Sequence, residues 1–98
     1  MNFTDEKRLK IIMYHHISNG VIDLDIHGMT KYQAKVYIDS QLKRAKADSY
    51  IIRVVHGYRN GTELRDMVRK EYKHHPKVKR VELGLNPGVT ALILRELY

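Results

Sequence analysis

Two passages of the chain have the same order of features, and they constrain the fold more than any other part of the sequence. In each, an apolar stretch with strand character ends in His-Gly and is followed by helical spacing: residues 21–26 run into His27, and residues 50–55 run into His56. A strand, a helix and a second strand in this order are joined by a right-handed crossover and lie parallel. If the two strands are neighbours, both His-Gly corners lie at the same edge of the sheet, where α/β proteins bind ligands.

Helical periodicity follows each corner. Thr30 and Gln33 form a capping box, and a helix is predicted over residues 30–47. Asn60 or Thr62 is predicted to cap the second helix. The apolar stripes are Ala34, Ile38, Leu42 and Ala45 in the first helix, and Leu64, Met67, Val68 and Tyr72 in the second.

The last part of the chain predicts two antiparallel strands, over residues 78–85 and 89–94, joined by the turn sequence Asn-Pro-Gly. The element order is therefore βαβαββ, which predicts a four-stranded mixed sheet in a two-layer α+β (α/β) sandwich. Both crossovers have the same hand, so both helices are expected on one face of the sheet if the strand order does not reverse between them. Asp23 and Asp25 suit the opposite, open face, because burying unpaired carboxylates is costly.

The domain is expected to cover residues 19–98, after a charged lead-in over residues 1–18. The spacing of Leu9, Ile12 and Met13 is compatible with an extra N-terminal helix. The chain contains no cysteine, which excludes disulfides and fits a reducing compartment. Since there is neither an apolar run near membrane-spanning length nor a signal-peptide pattern, we expect a cytoplasmic protein without a membrane partner.

The charge balance favours a polyanionic partner. Lysine and arginine number 18 against 11 acidic residues, which gives a formal net charge of +7. Nucleic acid is the first partner to consider for such a surplus. The alternative is a basic surface that serves solubility alone.

The surroundings of the two corners suit a phosphate. Glycine after each histidine lets the backbone turn sharply, and each following helix presents free N–H groups and the positive end of its dipole. Lys31, Arg59 and Arg65 add positive charge, Tyr58 can stack on a base, and Arg53 adds a cation on the open face. The chain has no His-x-x-Glu-His spacing, so no metal ligands are assigned.

Three motifs resemble the Smr (small MutS-related) domain family. Residues 24–28 (LDIHG) resemble its first signature, residues 56–65 (HGYRNGTELR) its Gly-rich loop running into a helix, and residues 86–90 (NPGVT) its closing turn. The resemblance extends from Asp23 to Leu94. It implies a βαβαββ fold similar to the C-terminal domain of a bacterial translation initiation factor. It also implies nucleic-acid binding and, in several members, endonuclease activity on DNA or RNA.

The same resemblance suggests roles for single residues. The acid and the histidine of the family's first signature are associated with cleavage, and here they are Asp25 and His27. The Gly-rich loop is associated with substrate binding. Its residues here are His56, Gly57, Tyr58, Arg59, Asn60 and Gly61. The loop departs from the pattern of many members, because three bulky residues separate its two glycines.

Phosphodiester cleavage needs a base, an acid and stabilisation of the developing charge. His27 and His56 are predicted to act as acid and base, while Asp25 orients His27 or binds a divalent cation such as Mg²⁺. RNA supplies a nucleophile in its 2′-hydroxyl and needs no metal, whereas with DNA a water attacks and a metal is expected. One carboxylate is thin support for a two-metal site, which favours RNA.

Two alternatives to a nuclease remain open from the sequence. The first is a nucleic-acid-binding module without catalysis, which would use the same edge and the open sheet face, and whose affinity would fall steeply with salt. The second is a ribosome-associated or protein-interaction adaptor, which rests on the likeness of fold alone.

Overall fold

The structure is a computed structural model that describes residues 20–59, 61–84 and 86–96. Within these ranges the elements are, in order, β1 (Val21–Asp25), α1 (Lys31–Arg44), β2 (Ile51–Val55), α2 (Glu63–Tyr72), β3 (Arg80–Leu83) and β4 (Val89–Ile93). The predicted βαβαββ order is confirmed. The extra helix expected from Leu9, Ile12 and Met13 lies outside the described residues, as does Asn60.

The four strands form one mixed sheet in the order β1-β2-β4-β3. β1 pairs parallel with β2, so that Leu24 lies opposite Val54. β4 pairs antiparallel with both β2 and β3, and Val54 lies opposite Thr90. The parallel pair results from the crossover through α1, and the short turn between β3 and β4 makes that pair antiparallel. The predicted sheet is confirmed.

Both helices pack on one face of this sheet, as predicted, and bury one apolar core. Every second residue of each central strand faces this core, since side chains alternate along a strand. The fully or almost fully buried members are Leu24, Ile26, Ile52, Val54 and Leu92 from the strands and their extensions, and Ala34, Ile38, Leu42, Val68 and Tyr72 from the helices. The hydroxyl of Tyr72 donates to Asp39 Oδ1 at 2.6 Å and thereby joins α2 to α1.

The opposite face of the sheet carries ion pairs within and between its strands. Arg53 on β2 donates from Nε and Nη2 to the two oxygens of Asp23 on β1, at 2.6 and 2.9 Å. Arg80 on β3 donates to Glu82 at 2.9 Å and also contacts Glu96. The aspartate predicted for this face thus has a cationic partner, which offsets part of the cost of removing it from water.

Two helix ends differ from the prediction. α1 ends at Arg44 rather than near residue 47. In its last turn, the carbonyl of Leu42 accepts a hydrogen bond from Lys77 Nζ at 2.7 Å, which satisfies one of the acceptors that a helix end leaves unpaired. Thr62 occupies the N-cap position of α2, but its side chain caps no N–H group. Its hydroxyl donates to Asp66 Oδ2 at 3.0 Å instead, so the cap predicted for Thr62 is wrong, and the alternative cap, Asn60, lies outside the described residues.

The Tyr72–Asp39 hydrogen bond gives a stability prediction. Burial, followed by this hydrogen bond, raises the pKa of Tyr72 above its ordinary value. Above pH 10 the unfolded chain therefore releases a proton that the folded chain retains, and the stability falls. Tyr72→Phe should cost about 1 kcal/mol near neutral pH and weaken the fall above pH 10. Urea unfolding near neutral pH and above pH 10 measures both effects, and the exposed Tyr32→Phe is the control. Equal stability of the two variants at neutral pH would contradict a stabilising hydrogen bond from Tyr72.

Candidate functional site

The first corner holds an exposed Asp–His pair. β1 ends at Asp25, and Gly28 takes a φ of 82° to turn the chain toward α1. Asp25 Oδ1 accepts from the His27 backbone N–H at 3.1 Å and from His27 Nδ1 at 2.5 Å. The hydrogen bond from the ring lowers the pKa of Asp25. Because a carboxylate can only accept, Nδ1 carries the proton and Nε2 is left as the basic nitrogen on a side chain that is 71% exposed.

The second corner holds a histidine of the opposite kind. His56 is only 5% exposed, and both of its ring nitrogens have partners. Nδ1 donates to the carbonyl of Gly57 at 2.8 Å, while Nε2 lies 2.8 Å from the hydroxyl of Thr90. Thr90 Oγ1 also accepts from Arg69 Nε at 3.1 Å, and its own proton is available to a neutral His56 at Nε2.

The contacts and the burial of His56 favour its neutral form. The carbonyl of Gly57 fixes a proton on Nδ1, and burial disfavours a second proton, so Nε2 acts as the acceptor. Burial lowers the pKa of His56; the cations of Arg69 and Arg65 act in the same direction, and the Gly57 carbonyl and Asp66 act against them. The acid or base role predicted for His56 finds no support in this geometry, because neither nitrogen is free to meet a substrate.

The two corners line one cleft at the carboxyl edge of the parallel strands. A Cβ placed on Gly57 would lie 3.7 Å from the Cβ of His27. The cleft, called the corner cleft below, has a volume of about 410 Å³. It is lined by His27, Gly28, Met29, Val55, His56, Gly57, Tyr58, Arg59, Gly61, Glu63 and Leu64. The convergence of the two His-Gly sequences, expected from parallel strands, is present in the structure.

The NPGVT motif, residues 86–90, holds the second corner in place through backbone hydrogen bonds. The backbone N–H groups of His56 and Gly57 both donate to the carbonyl of Gly88, at 2.9 and 3.0 Å. A Cβ on Gly88 would lie 3.3 Å from both the Cα of Gly57 and Cδ1 of Tyr58. A side chain at residue 88 would therefore crowd the close approach of the two turns. The turn before β4 fixes the position of the loop that lines the corner cleft.

The sequence analysis did not identify two residues of the hydrogen-bond network around His56. Thr90 belongs to the NPGVT motif but was given no role, and Arg69 was not singled out at all. Thr90 faces the core from β4 as a buried polar residue, and a threonine in an apolar strand is a weak signal for such a contact. Arg69 gives no local signal, because its partner is 21 residues away in the chain.

Several predicted binding residues lie elsewhere. Lys31 lines a separate groove between α1 and α2. Arg65 contacts Asp66 at 3.1 Å, and Arg53 is bound to Asp23 on the open face. Among the described residues that line the corner cleft, only Arg59 and Glu63 carry a full charge.

The two helix N-termini differ in what they offer to an anion. In α1 the capping box is present as predicted: Gln33 N–H donates to Thr30 Oγ1 at 3.1 Å, and Thr30 N–H donates to Gln33 Oε1 at 3.0 Å. In α2 the N-cap residue provides no side-chain acceptor, so within the described part of the chain the N–H groups of the first turn are available to a ligand. Glu63 and Asp66 lie in that turn and oppose an anion, so the attraction rests on backbone donors beside Arg59.

The described side chains offer few ligands for a metal ion. Across residues 20–59, 61–84 and 86–96, no three His, Cys, Asp or Glu side chains are grouped closely enough to hold a metal ion. Asp25, the carboxylate predicted to bind a divalent cation, has one oxygen engaged with His27. In the same described ranges, no helix is both long and apolar enough to cross a lipid bilayer.

The hydroxyl of Thr90 is testable by itself. Thr90→Val keeps the shape but leaves buried His56 Nε2 and Arg69 Nε without their partner, which should cost about 1–3 kcal/mol. Thr90→Ser keeps the hydroxyl and should cost less. Urea unfolding of both variants at the same pH measures the difference, and Thr90→Val as stable as Thr90→Ser would contradict the hydrogen-bond network.

Burial of neutral His56 gives a pH prediction. The unfolded histidine titrates near 6.5, whereas the folded one titrates lower, so the unfolded chain binds more protons as the pH falls through that value. The stability is therefore complete above pH 6.5 and falls below it. His56→Gln should flatten this fall between about pH 7 and pH 5, and the exposed His74→Gln should not. An unchanged slope in His56→Gln would show that another group is responsible.

Comparisons with known proteins place the same motifs in one domain family. A family model for the Smr domain matches residues 24–91, which include both corners and the turn before β4. The crystal structure of the Smr domain of Thermus thermophilus MutS2 is 25% identical, with a TM-score of 0.68; the match covers 76% of this chain and 98% of that one. No curated protein matches the sequence.

Proposed function

This chain belongs to the Smr domain family, a family of nucleic-acid-binding domains, and we propose that this member cleaves phosphodiester bonds in the corner cleft. The observation that carries the proposal is the pair Asp25–His27. Its geometry leaves His27 Nε2 basic and exposed at the mouth of the cleft. A histidine oriented by a carboxylate through its other nitrogen suits general-base catalysis.

RNA is the substrate that this pair suits best. His27 Nε2 takes the proton of a 2′-hydroxyl, the 2′-oxygen attacks the adjacent phosphorus, and the bond from phosphorus to the 5′-oxygen breaks. The leaving oxygen takes a proton from water at the exposed mouth of the cleft. The products are a 2′,3′-cyclic phosphate and a 5′-hydroxyl end, and Asp25 stabilises the imidazolium that forms on His27.

The second corner holds the phosphate in this proposal. Gly57 lets the backbone approach because it has no side chain, and its position is fixed by Gly88 and by His56. The free N–H groups of α2 and the guanidinium of Arg59 stabilise the charge that develops on the phosphoryl oxygens. Tyr58, which is half-exposed, stacks on a neighbouring base. His56 acts as a positioning residue, and Asn60 and Gly61 complete the loop.

DNA has no 2′-hydroxyl, so water is the nucleophile, and a bound Mg²⁺ would lower the pKa of that water. The described residues fit a metal poorly, since the only carboxylate beside His27 in the first corner is Asp25, which is already bound to it. Cleavage of RNA without a metal is therefore the stronger form of the proposal.

A binding module without catalysis is the second candidate. It is favoured by the bulk of Tyr58 and Arg59 between the two loop glycines, which restricts how closely a phosphate approaches the backbone. The same cleft would then hold a strand without cleaving it.

Variants of the first corner decide between the two candidates. His27→Gln removes the base and should lower cleavage by about 100-fold or more. Asp25→Asn leaves a side chain of the same shape but favours the wrong tautomer of His27, and should also reduce cleavage strongly. Labelled single-stranded RNA and supercoiled plasmid, each with Mg²⁺ or with EDTA, provide the assay, and His74→Gln is the matched control.

Each result has a distinct meaning. Cleavage of RNA in EDTA that is lost in both variants and kept in His74→Gln supports the proposal. Full activity in His27→Gln would contradict it. Retention of nucleic acid in a gel without cleavage by the unaltered protein would establish the binding module.

A further inference from the structure

The positive charge of the described chain is concentrated at the end of the domain that lies opposite the corner cleft. Three segments meet there: the end of α1 with the turn after it, the stretch that follows α2, and the residues after β4. Their cationic side chains are Lys43, Arg44, Lys46, Lys73, Lys77, Lys79 and Arg95, all exposed. We call these seven residues the basic end.

Contacts between the segments bring these residues together. Lys77 Nζ donates to the carbonyls of Leu42 and Lys43, at 2.7 and 3.4 Å, which joins the stretch after α2 to the end of α1. The backbone of Lys79 donates to Ile93 at 2.7 Å, which brings it beside the end of β4. Lys46, Lys77 and Arg95 line a common depression of about 270 Å³.

Few carboxylates oppose this charge. Residues 43–48, 73–79 and 94–96 contain only Asp48 and Glu96, and Glu96 is bound to Arg80. None of the seven cations of the basic end forms an ion pair with another described residue. Helix ends account for part of the set, because cations in the last turn interact favourably with the dipole. That reason covers Lys43 and Arg44, but not Lys46, Lys79 or Arg95.

The corner cleft, by contrast, is close to neutral, since Arg59 is matched by Glu63. Sequence-independent affinity for nucleic acid comes mainly from cations that displace counterions from phosphates. This chain belongs to a family of nucleic-acid-binding domains, but the nearly neutral cleft alone accounts for little of that affinity. The cations that the cleft lacks are present at the basic end.

We propose that the basic end is a second nucleic-acid-binding surface, which holds the phosphate backbone of the substrate away from the bond in the corner cleft. α1, with 14 residues, runs between the two surfaces and spans about 21 Å. That length corresponds to roughly six base pairs along a duplex, so one substrate reaches both. The inference rests on the nucleic-acid binding in the proposed function but not on cleavage.

The test compares two triple variants that lose the same charge. Lys46→Gln/Lys79→Gln/Arg95→Gln removes three of the seven cations of the basic end and leaves the helix-capping Lys77 intact. Lys31→Gln/Lys35→Gln/Lys70→Gln removes the three cations of the groove between the helices. Affinity for a labelled DNA duplex of about 20 base pairs, which has a phosphate backbone but no 2′-hydroxyl to react, is measured by fluorescence anisotropy at several salt concentrations. The basic-end variant should lose roughly 2–3 units of the salt slope, at about 0.9 per phosphate contact, and the groove variant less than one unit.

Equal slopes in the two triple variants would overturn the inference. So would tighter binding of the unaltered protein to phosphatidylserine vesicles than to the duplex, since the basic end would then fit a lipid surface. The result is independent of catalysis: His27→Gln should keep the full salt slope, and the basic-end variant should keep kcat while its KM rises. If the unaltered protein cleaves nothing, the proposed function fails, and the anisotropy series still decides the role of the basic end.

Discussion

The parallel pairing of β1 with β2 is the constraint on which the rest of the structure depends. It brings two strand ends to one edge, and each strand ends in the same His-Gly sequence. The helices that follow cross back over the same face of the sheet, because both crossovers have the same hand and the strand order does not reverse between them. One edge therefore collects two sharp turns and two helix N-termini, and the other collects the helix C-termini. The corner cleft and the basic end are the two consequences of that single arrangement.

The two histidines show how environment separates residues that look equivalent in sequence. His27 lies at the surface, with one nitrogen held by Asp25 and the other without a partner among the described residues. His56 is buried with both nitrogens bound, in a network that reaches Thr90 and Arg69. The first is suited to exchange a proton, and the second is suited to hold a loop in place. A buried neutral imidazole with two partners keeps its protonation state, which is useful for a positioning residue and unsuitable for a base.

The separation of charge from chemistry is a second consequence. The corner cleft combines a basic imidazole with small glycine turns, and its charges nearly cancel. The opposite end carries seven cations, and few carboxylates lie near them among the described residues. Affinity for a polyanion and positioning of one phosphate are different tasks, since the first needs many charges over a length of backbone and the second needs close, directed donors.

Periodicity and turn chemistry are local, and the sequence by itself determined what depends on them: the βαβαββ order, the capping box at Thr30, the face of the sheet that each strand residue occupies and the convergence of the two corners. The tertiary structure alone decided which histidine is free, because burial and the contact from His56 to Thr90 depend on a strand 34 residues away. It also decided that Arg53 is taken by Asp23 on the adjacent strand, and that Thr62 bonds Asp66 instead of capping α2. A side chain's partners are set by neighbours that are distant along the chain, and a single sequence does not specify those partners.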